Sequence, residues 1–370
     1  MTSLLVILLS SYLIMMVLLI WGFTRANRLP EPASGVVPEL SIVVPCRNEE
    51  ANLPKLIHSL LLQQFPAEGT EIILVDDHSE DNTLQLMQSF SESYPRIRAI
   101  TLPHKQAGKK AALEEGIRNA RFSVIVTTDA DCIHESGWLT SIGRLMSHAD
   151  ISMVVGMVRV ASSGRLFLRL QSLEFASLTG SAIAVLGWGR PLMCNGASLA
   201  FRKQVFERVG GYDGDRHLAS GDDEFLMRKV AALEQGTIVP MTSSGSVVET
   251  RPQATISLFV QQRIRWASKW KHNHDPVART TALLVALAHL AFLASIGVIL
   301  IHPVSILIYL VEGKILAEAY FFRMVSRRLA QPFDVVSFMM WQLIYPFYVL
   351  IIGAASLTLA WNWKGRNYAQ

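Results

Sequence analysis

An apolar stretch, Val124-Ile125-Val126, runs into Thr127-Thr128-Asp129-Ala130-Asp131, so two carboxylates one residue apart stand at the end of a candidate strand. Carboxylate oxygens are hard ligands suited to Mg²⁺ or Mn²⁺. A divalent cation held there can screen a diphosphate and stabilise it as a leaving group. A short acidic turn can equally be a solvated loop, so the weight rests on what accompanies the pair. Val43-Val44-Pro45-Cys46-Arg47-Asn48-Glu49-Glu50 ends one apolar run and Val75-Asp76-Asp77-His78-Ser79 ends another. Gly108-Lys109-Lys110 opens a helical stretch, Gly221-Asp222-Asp223-Glu224 opens a second, and Gln262-Arg263-Ile264-Arg265-Trp266 lies late in a third. A cation at a helix start opposes the helix dipole, which points to an anionic ligand beside Lys109. Acids at a helix start are favourable in themselves, so Asp222 and Asp223 also have a structural reading. Asp76 and Asp77 could cap a helix or close a turn. Arg265 can grip a diphosphate through charge-assisted hydrogen bonds, and Trp266 offers a flat apolar surface.

Those residues need elements to position them. Leu40–Val44, Glu71–Val75, Ile97–Thr101 and Ser123–Thr128 read as short strands. The patterns at Asn52–Gln63, Asn82–Tyr94 and Lys109–Arg118 predict helices between them. This alternation predicts an α/β fold with a parallel, doubly wound sheet, in which ligands bind beyond the carboxyl ends of strands. Both strand-end acid pairs fall at such ends. After Asp131 the rhythm changes: Ile151–Val160 reads as a strand, Arg165–Leu186 as a long amphipathic helix, Ala197–Phe201 as a strand and Asp223–Leu233 as a helix. Ile238–Glu249 is strand or irregular, and Thr255–Lys271 is a helix suited to a membrane interface.

The chain has 370 residues, 51% hydrophobic and 17% charged, and the apolar excess sits at its two ends. Leu4–Phe23 carries no charge and is about 30 Å long as a helix, enough to cross a bilayer. It lacks the charged n-region and small-residue cleavage site of a signal peptide, which predicts a retained anchor. Thr280–Ile301, Pro303–Phe322 and Val335–Trp361 are further candidate spans. Arg25, Arg28, Arg263, Arg265, Lys269, Lys271, Arg279, Arg323, Arg327 and Arg328 flank these segments and would put the central domain in the cytoplasm, while a fourth span would leave Lys364 and Arg366 outside. Within Pro303–Phe322, Lys314 and Glu318 stand one turn apart; a lipid-headgroup pocket and a mutually paired helix are both open. Cys46, Cys132 and Cys194 suit reduced thiols rather than disulfides or a zinc site. The net charge of +4 is largely juxtamembrane, which fits anionic lipid headgroups and not nucleic acid. No phosphate-binding G-x-x-x-x-G-K-[ST] loop or dinucleotide G-x-G-x-x-G turn is present, and His272 and His274 read as solvated.

In order and spacing, the motifs quoted above strongly resemble family 2 glycosyltransferases of the GT-A fold, over roughly residues 40 to 270. The resemblance implies an inverting, metal-dependent transferase that takes a sugar from a nucleotide-sugar, typically UDP-linked. Pro45, Arg47 and Glu49 match the family's first nucleotide-contacting loop, Asp76 and Asp77 its nucleoside-binding acids, and Lys109 a basic position near the diphosphate. Asp129 and Asp131 match the D-x-D metal pair, with Asp131 the more direct ligand of Mg²⁺ or Mn²⁺ and Asp129 facing donor ribose or metal. Asp223 matches the general base, with Asp222 where the family usually has Glu. Gln262, Arg265 and Trp266 match Q-x-x-R-W, and Asn195-Gly196 resembles the acceptor-side loop. The implied organisation is an N-terminal transmembrane anchor at 1–24, a linker at 25–38, a GT-A domain at 39–275 that includes an interfacial helix at 255–271, and a membrane region at 276–370 with two or three spans. The acceptor would be membrane-associated, a lipid or a glycan, and the protein would sit in the cell inner membrane with its catalytic domain in the cytoplasm. Two alternatives accompany this reading. One is a processive polysaccharide synthase of the same family. The other is a nucleotide-sugar-binding pseudoenzyme, which loss of a key acid would favour; all of them are present.

Overall fold

In a computed structural model of the protein, the described residues are 2–27, 37–162, 164–214, 221–233, 237–268, 275–358, 361–363 and 366–368. The expected linker lies mostly outside them, as do Arg28, Lys269, Lys271, His272, His274 and Lys364. The first apolar segment forms helix α1 (Thr2–Ala26). Strand β1 (Leu40–Cys46), helix α2 (Leu53–Leu61), strand β2 (Thr70–Asp76), helix α3 (Thr83–Ser93), strand β3 (Ile97–Thr101), helix α4 (Lys109–Arg118) and strand β4 (Val124–Thr127) then alternate as the hydrophobic pattern predicts. A two-residue strand β5 (Ile133–His134) follows, and then α5 (Trp138–Met146), a helix the sequence reading had not marked. Strands β6 (Ile151–Gly156) and β7 (Val158–Val160) come next, then helix α6 (Leu166–Gly187), strand β8 (Leu199–Arg202), and helices α7 (Lys203–Arg208) and α8 (Asp222–Ala232). Strands β9 (Thr237–Met241) and β10 (Val248–Thr250) precede helix α9 (Ile256–Ser268) and three long helices, α10 (Pro276–Ile301), α11 (Ser305–Arg328) and α12 (Val335–Thr358).

The main sheet has the order β3-β2-β1-β4-β8-β6-β9. Its first four strands are parallel, with β1 between β2 and β4. The fully parallel sheet expected from the sequence is corrected at β8, which runs antiparallel to both β4 and β6. This reversal has a consequence for the site. The register Thr127↔Leu199 brings the segment leading into β8 to the edge where β4 ends. The single strand expected over 151–160 is two strands in different sheets: β6 stays in the main sheet, while β7 joins β10 and β5 in a three-stranded sheet.

Apolar clusters cover both faces of the main sheet, one containing Ile42, Val44, Leu74, Val126, Trp138 and Ile142, the other Val43, Val75, Ile125, Val155, Phe201 and Leu226. Helix α4 lies unusually close to β1, because a β-carbon at Gly116 would meet Val43 Cγ1 at 2.3 Å. The second cluster, the one with Val43, runs on into α1, α10 and α11. Helix α6 has buried residues all round its middle, from Gln171 to Ala176 and Thr179 to Leu186, as a helix packed on several sides must. It crosses α1 where Gly187 meets Gly22; a β-carbon at Gly187 would lie 2.0 Å from the Gly22 carbonyl oxygen. Arg159 of β7 adds a polar tie, pairing with Glu135 and Glu249 and donating to the Leu329 carbonyl at 2.8 Å.

Among the described residues, three helices are long and apolar enough to cross a membrane: Thr2–Ala26, Pro276–Ile301 and Val335–Ser356. Helix α11 is of similar length but is not among them, since Glu312, Lys314, Glu318 and Arg323 interrupt it. The span expected at Pro303–Phe322 is therefore a charged helix packed against α1, α6 and α10.

Candidate active site

A cavity of about 1760 Å³ opens at the carboxyl ends of β1, β2 and β4 and extends between the long helices. Its upper wall gathers most of the residues singled out in the sequence. Because β1, β2 and β4 are parallel neighbours, the loops after Cys46, Asp76 and Thr127 lie side by side. Pro45, Arg47, Glu49, Asp77, Asp129 and Asp131 all line the cavity. Asp76 is buried beside them and accepts from the Ser79 amide at 3.3 Å.

The start of α4 holds this wall together. The Gly108 amide lies 3.0 Å from both carboxylate oxygens of Asp77. Gly108 has φ of +100°, a conformation that glycine adopts without a steric cost. One residue on, Lys109 Nζ lies 2.7 Å from Asp129 Oδ1 and 3.3 Å from Asp222 Oδ2. Burial alone would lower its proton affinity. The carboxylates of Asp129, Asp222 and Asp223 outweigh that and hold the ammonium charged well above its ordinary range. One short segment thus joins the acid after β2, the first acid of the D-x-D pair and the acid at the start of α8.

Asp223 sits in the first turn of α8. Its Oδ2 accepts from the Gly196 amide at 2.8 Å and its Oδ1 from the Glu224 amide at 2.8 Å. Gly196 is itself placed by Thr127, whose hydroxyl donates to the Gly196 carbonyl at 2.9 Å, across the β4–β8 register. Asn195 accepts from the Ala197 amide at 3.0 Å and lines the cavity. Asp131 accepts from the Thr250 hydroxyl at 3.3 Å. The nearby Cys132 thiol is pushed up by burial and by Asp131 and Asp129, so it stays protonated. Cys46, Cys132 and Cys194 form no disulfide. Arg265 lines the same space; burial lowers its proton affinity, and Asp222, Asp129 and Asp223 oppose that effect. A guanidinium still remains charged in such a setting.

Several residues play parts that spacing did not reveal. Arg47 donates to the carbonyls of Asp77 and His78 at 2.8 and 2.9 Å and pairs with Glu80 at 3.0 Å, so it braces the loop after β2. Glu49 accepts from Asn52 at 2.5 Å at the start of α2. Behind the D-x-D turn, His134 Nε2 meets the Thr128 hydroxyl at 2.8 Å and its Nδ1 meets Ser59 at 3.2 Å. Burial pushes this imidazole down to about 3, so it is neutral. Nothing in the pattern around His134 signals that role.

Arg263 calls for a correction. The sequence reading counted it with the juxtamembrane cations, yet it is 4% exposed and forked onto Glu174, at 2.9 Å from Nε and 2.5 Å from Nη2. Tyr348 of α12 also donates to Glu174, at 2.9 Å. The Arg263 guanidinium lies 4.4 Å from the Phe259 ring and 4.2 Å from the Trp266 ring. Trp266, which also packs on Phe175 at 5.8 Å, is thus partly covered rather than a bare platform. Gln262 accepts from Arg263 and lines the cavity.

Among the described residues, no three His, Cys, Asp or Glu side chains converge as a ready-made metal site. Asp129 and Asp131 offer hard oxygens, and Glu49, Asp77, Asp129, Asp131, Asp222, Asp223 and Glu224 of the lining outnumber Arg47, Lys109, Arg190, Arg251 and Arg265. Such a donor set and charge balance fit a divalent cation that draws its remaining ligands from a diphosphate and water.

Residues 41–210 match the family described as glycosyl transferase family 2. The chain is 28% identical over 238 residues to Probable glycosyltransferase YdaM of Bacillus subtilis, covering 62% of this chain and 55% of that protein. It is 26% identical over 198 residues to Glycosyltransferase AglE of Haloferax volcanii, covering 51% and 60%. With the poly-beta-1,6-N-acetyl-D-glucosamine synthase of Staphylococcus epidermidis it shares 25% over 181 residues, covering 48% and 43%. The chain thus spans about half the length of these relatives. Among solved structures, a mannosyltransferase from Pyrobaculum calidifontis, in complex with GDP-Man and Mn²⁺, matches with a TM-score of 0.54 at 16% identity, covering 96% of this chain and 99% of that one. The fold is therefore GT-A, with apolar helices at both ends.

Proposed function

We propose, from the match of residues 41–210 to glycosyl transferase family 2, that the chain moves a sugar from a UDP-linked donor to a membrane lipid, with inversion at the anomeric carbon. The observation that carries this reading is the bridge of Lys109 between Asp129 and Asp222, with Asp77 tied to the preceding amide. It assembles nucleoside-side, diphosphate-side and acceptor-side groups around one cavity.

In this reading Asp77, supported by Asp76, meets the nucleoside. Pro45 and Glu49 shape the adjoining wall, and Arg47 acts through the loop that it braces. Lys109 and Arg265 face the diphosphate. Asp129 and Asp131 would hold Mg²⁺ or Mn²⁺, which supplies charge screening for the departing nucleoside diphosphate. Asp223 takes the proton of the acceptor hydroxyl while that oxygen bonds to the anomeric carbon and the bond from that carbon to the diphosphate oxygen breaks. Two backbone amides fix its carboxylate and leave lone pairs for that proton. Asn195, Gly196, Gln262 and Trp266 border the acceptor side. The catalytic domain would face the cytoplasm and the long helices would lie in the cell inner membrane.

The test is nucleotide release by the full-length protein in detergent, with UDP- and GDP-sugars, Mn²⁺ or Mg²⁺ and total membrane lipid, and with Asp223→Asn as the blank. Release from one donor, lost in the blank and on EDTA treatment, is the expected result. Equal release by the blank would sink the base assignment. Release from no donor would leave only a sugar-nucleotide-binding protein. The similarity to a polysaccharide synthase supports a second reading, processive addition. A ladder of product masses, rather than a single glycolipid, would select it.

A further inference from the structure

Helix α9 lies outside the main sheet, yet it brings Gln262, Arg265 and Trp266 to the cavity wall. Buried polar side chains of α6 and α12 hold it there. Gln171 and Glu174 stand three residues apart on α6 and so share one face of that helix. Gln171 exchanges two hydrogen bonds with Gln253, just ahead of α9: its Nε2 donates to the Gln253 carbonyl at 2.9 Å, and its Oε1 accepts from the Gln253 amide at 2.8 Å. Glu174 takes the Arg263 fork further along α9, and Tyr348 of α12 donates to the same carboxylate. Val260 and Ile264 of α9 cluster with Tyr348 and Ile352 of α12.

Arg263 and Arg265 are two positions apart on one helix, which sets their side chains about 200° apart around its axis. With Arg263 locked onto Glu174, Arg265 is turned away from α6 and into the cavity, where Asp222, Asp129 and Asp223 act on its charge. The fork also settles which cation the acidic wall meets. Arg263 stands close enough to oppose the charge on Arg265, and Glu174 neutralises it at contact distance. Stability alone does not account for such a pair, because apolar side chains of similar volume are often as stable as a buried ion pair. What the pair adds is direction, since a guanidinium–carboxylate fork fixes two parallel hydrogen bonds.

We propose that Glu174, acting through Arg263, is a positioning residue that sets the rotation of α9 and so aims Arg265 at the donor diphosphate. The diphosphate role of Arg265 rests on the transferase reading above. The fork, its burial and the opposed directions of the two arginines do not.

The experiment is a mutant cycle on the full-length protein in detergent, read as calorimetric affinity for UDP with Mn²⁺, or for GDP where the wild type prefers it, and as the thermal midpoint. Arg265→Met should weaken nucleotide binding about tenfold. Glu174→Met with Arg263→Met should do the same and keep the thermal midpoint near that of the wild type, because two apolar side chains fill the space of the pair. The three substitutions together should still cost about tenfold and not about a hundredfold, since the double variant acts only through Arg265. Glu174→Gln keeps the shape of the side chain and should weaken binding about threefold, an effect that vanishes in the Arg265→Met background. It carries the test if the double variant does not fold. Wild-type affinity in the Glu174 variants, or losses that multiply with that of Arg265→Met, would overturn the inference alone. Wild-type affinity in Arg265→Met would overturn the transferase reading's assignment of Arg265, and the inference with it.

Discussion

Two polar clusters share one cavity under opposite charge conditions. At the strand ends, Asp77, Asp129, Asp131, Asp222 and Asp223 surround Lys109 and Arg265, and negative charge is in excess. Between α1, α11 and α12, Lys314 and Glu318 cancel, and Tyr12 and Gln342 complete their hydrogen bonds. The upper cluster is open to water at its mouth, and Asp129 keeps 35% of its side-chain surface. An unbalanced cluster can persist there because water and incoming cations offset it. The lower one has no such relief, so it must balance itself. Charge left over thus marks where charged ligands go, and charge cancelled marks a place that charged ligands avoid.

The sharpest way to break this contrast is to alter one group in each cluster. Asp223→Asn keeps the shape of the side chain but removes a proton acceptor. Turnover should fall on the order of 10³-fold, with nucleotide affinity nearly unchanged in calorimetry. Lys314→Met should instead act on stability. It strands a buried carboxylate, at a cost of about 3 kcal/mol or more, while Lys314→Met with Glu318→Met recovers most of that. Unfolding in mixed detergent micelles measures both; equal losses in the single and double variants would show that the pair is not self-balancing. Lys109→Met is the counterpart in the upper cluster. It should weaken donor binding about tenfold and cost less stability than Lys314→Met, because Asp129 is open to water although Asp222 is buried.

The smallest expected effect belongs to the brace behind the D-x-D turn. His134 titrates near 3 when folded and ordinarily near 6.5. Above the ordinary value nothing is lost. Below it the unfolded chain takes up a proton that the folded chain refuses until about pH 3, so stability falls across that window. By pH 5.5 the loss should reach about 1.4 kcal/mol. His134→Asn should remove that part of the slope when denaturation is followed between pH 7 and 5.

Much of the upper cluster was legible before any coordinates. Asp77, Asp129 and Asp223 each stand beside an apolar strand or at a helix start, and both contexts are local. The braces were not. Arg47, matched to a nucleotide-contacting loop, also holds the loop after β2; Arg263, counted among the cations that precede a span, is buried on Glu174, 89 positions away in sequence. Trp266, a flat apolar surface by its residue type, also carries the Arg263 guanidinium over its ring. Helix α5 had been passed over, although Trp138, Leu139 and Ile142 repeat at helical spacing and back the sheet.

By itself the sequence determined the alternation of strands and helices up to Asp131, the acids at the strand ends and the apolar segments that form α1, α10 and α12, although it also offered Pro303–Phe322 as a span. Each of these depends on side-chain period, length or a neighbour a few residues away, which a single chain displays directly. The tertiary structure alone decided that β8 turns back and lays Gly196 against Asp223, and that Lys109 joins two acids from separate elements. It also decided that Tyr12 reaches Glu318 across 306 positions and that His289 packs edge-on to Tyr345 with its Nδ1 enclosed and without a hydrogen-bond partner among the described residues. Those outcomes depend on which elements pack together and in which direction, and the partners of a buried polar group are chosen only when that packing closes around it.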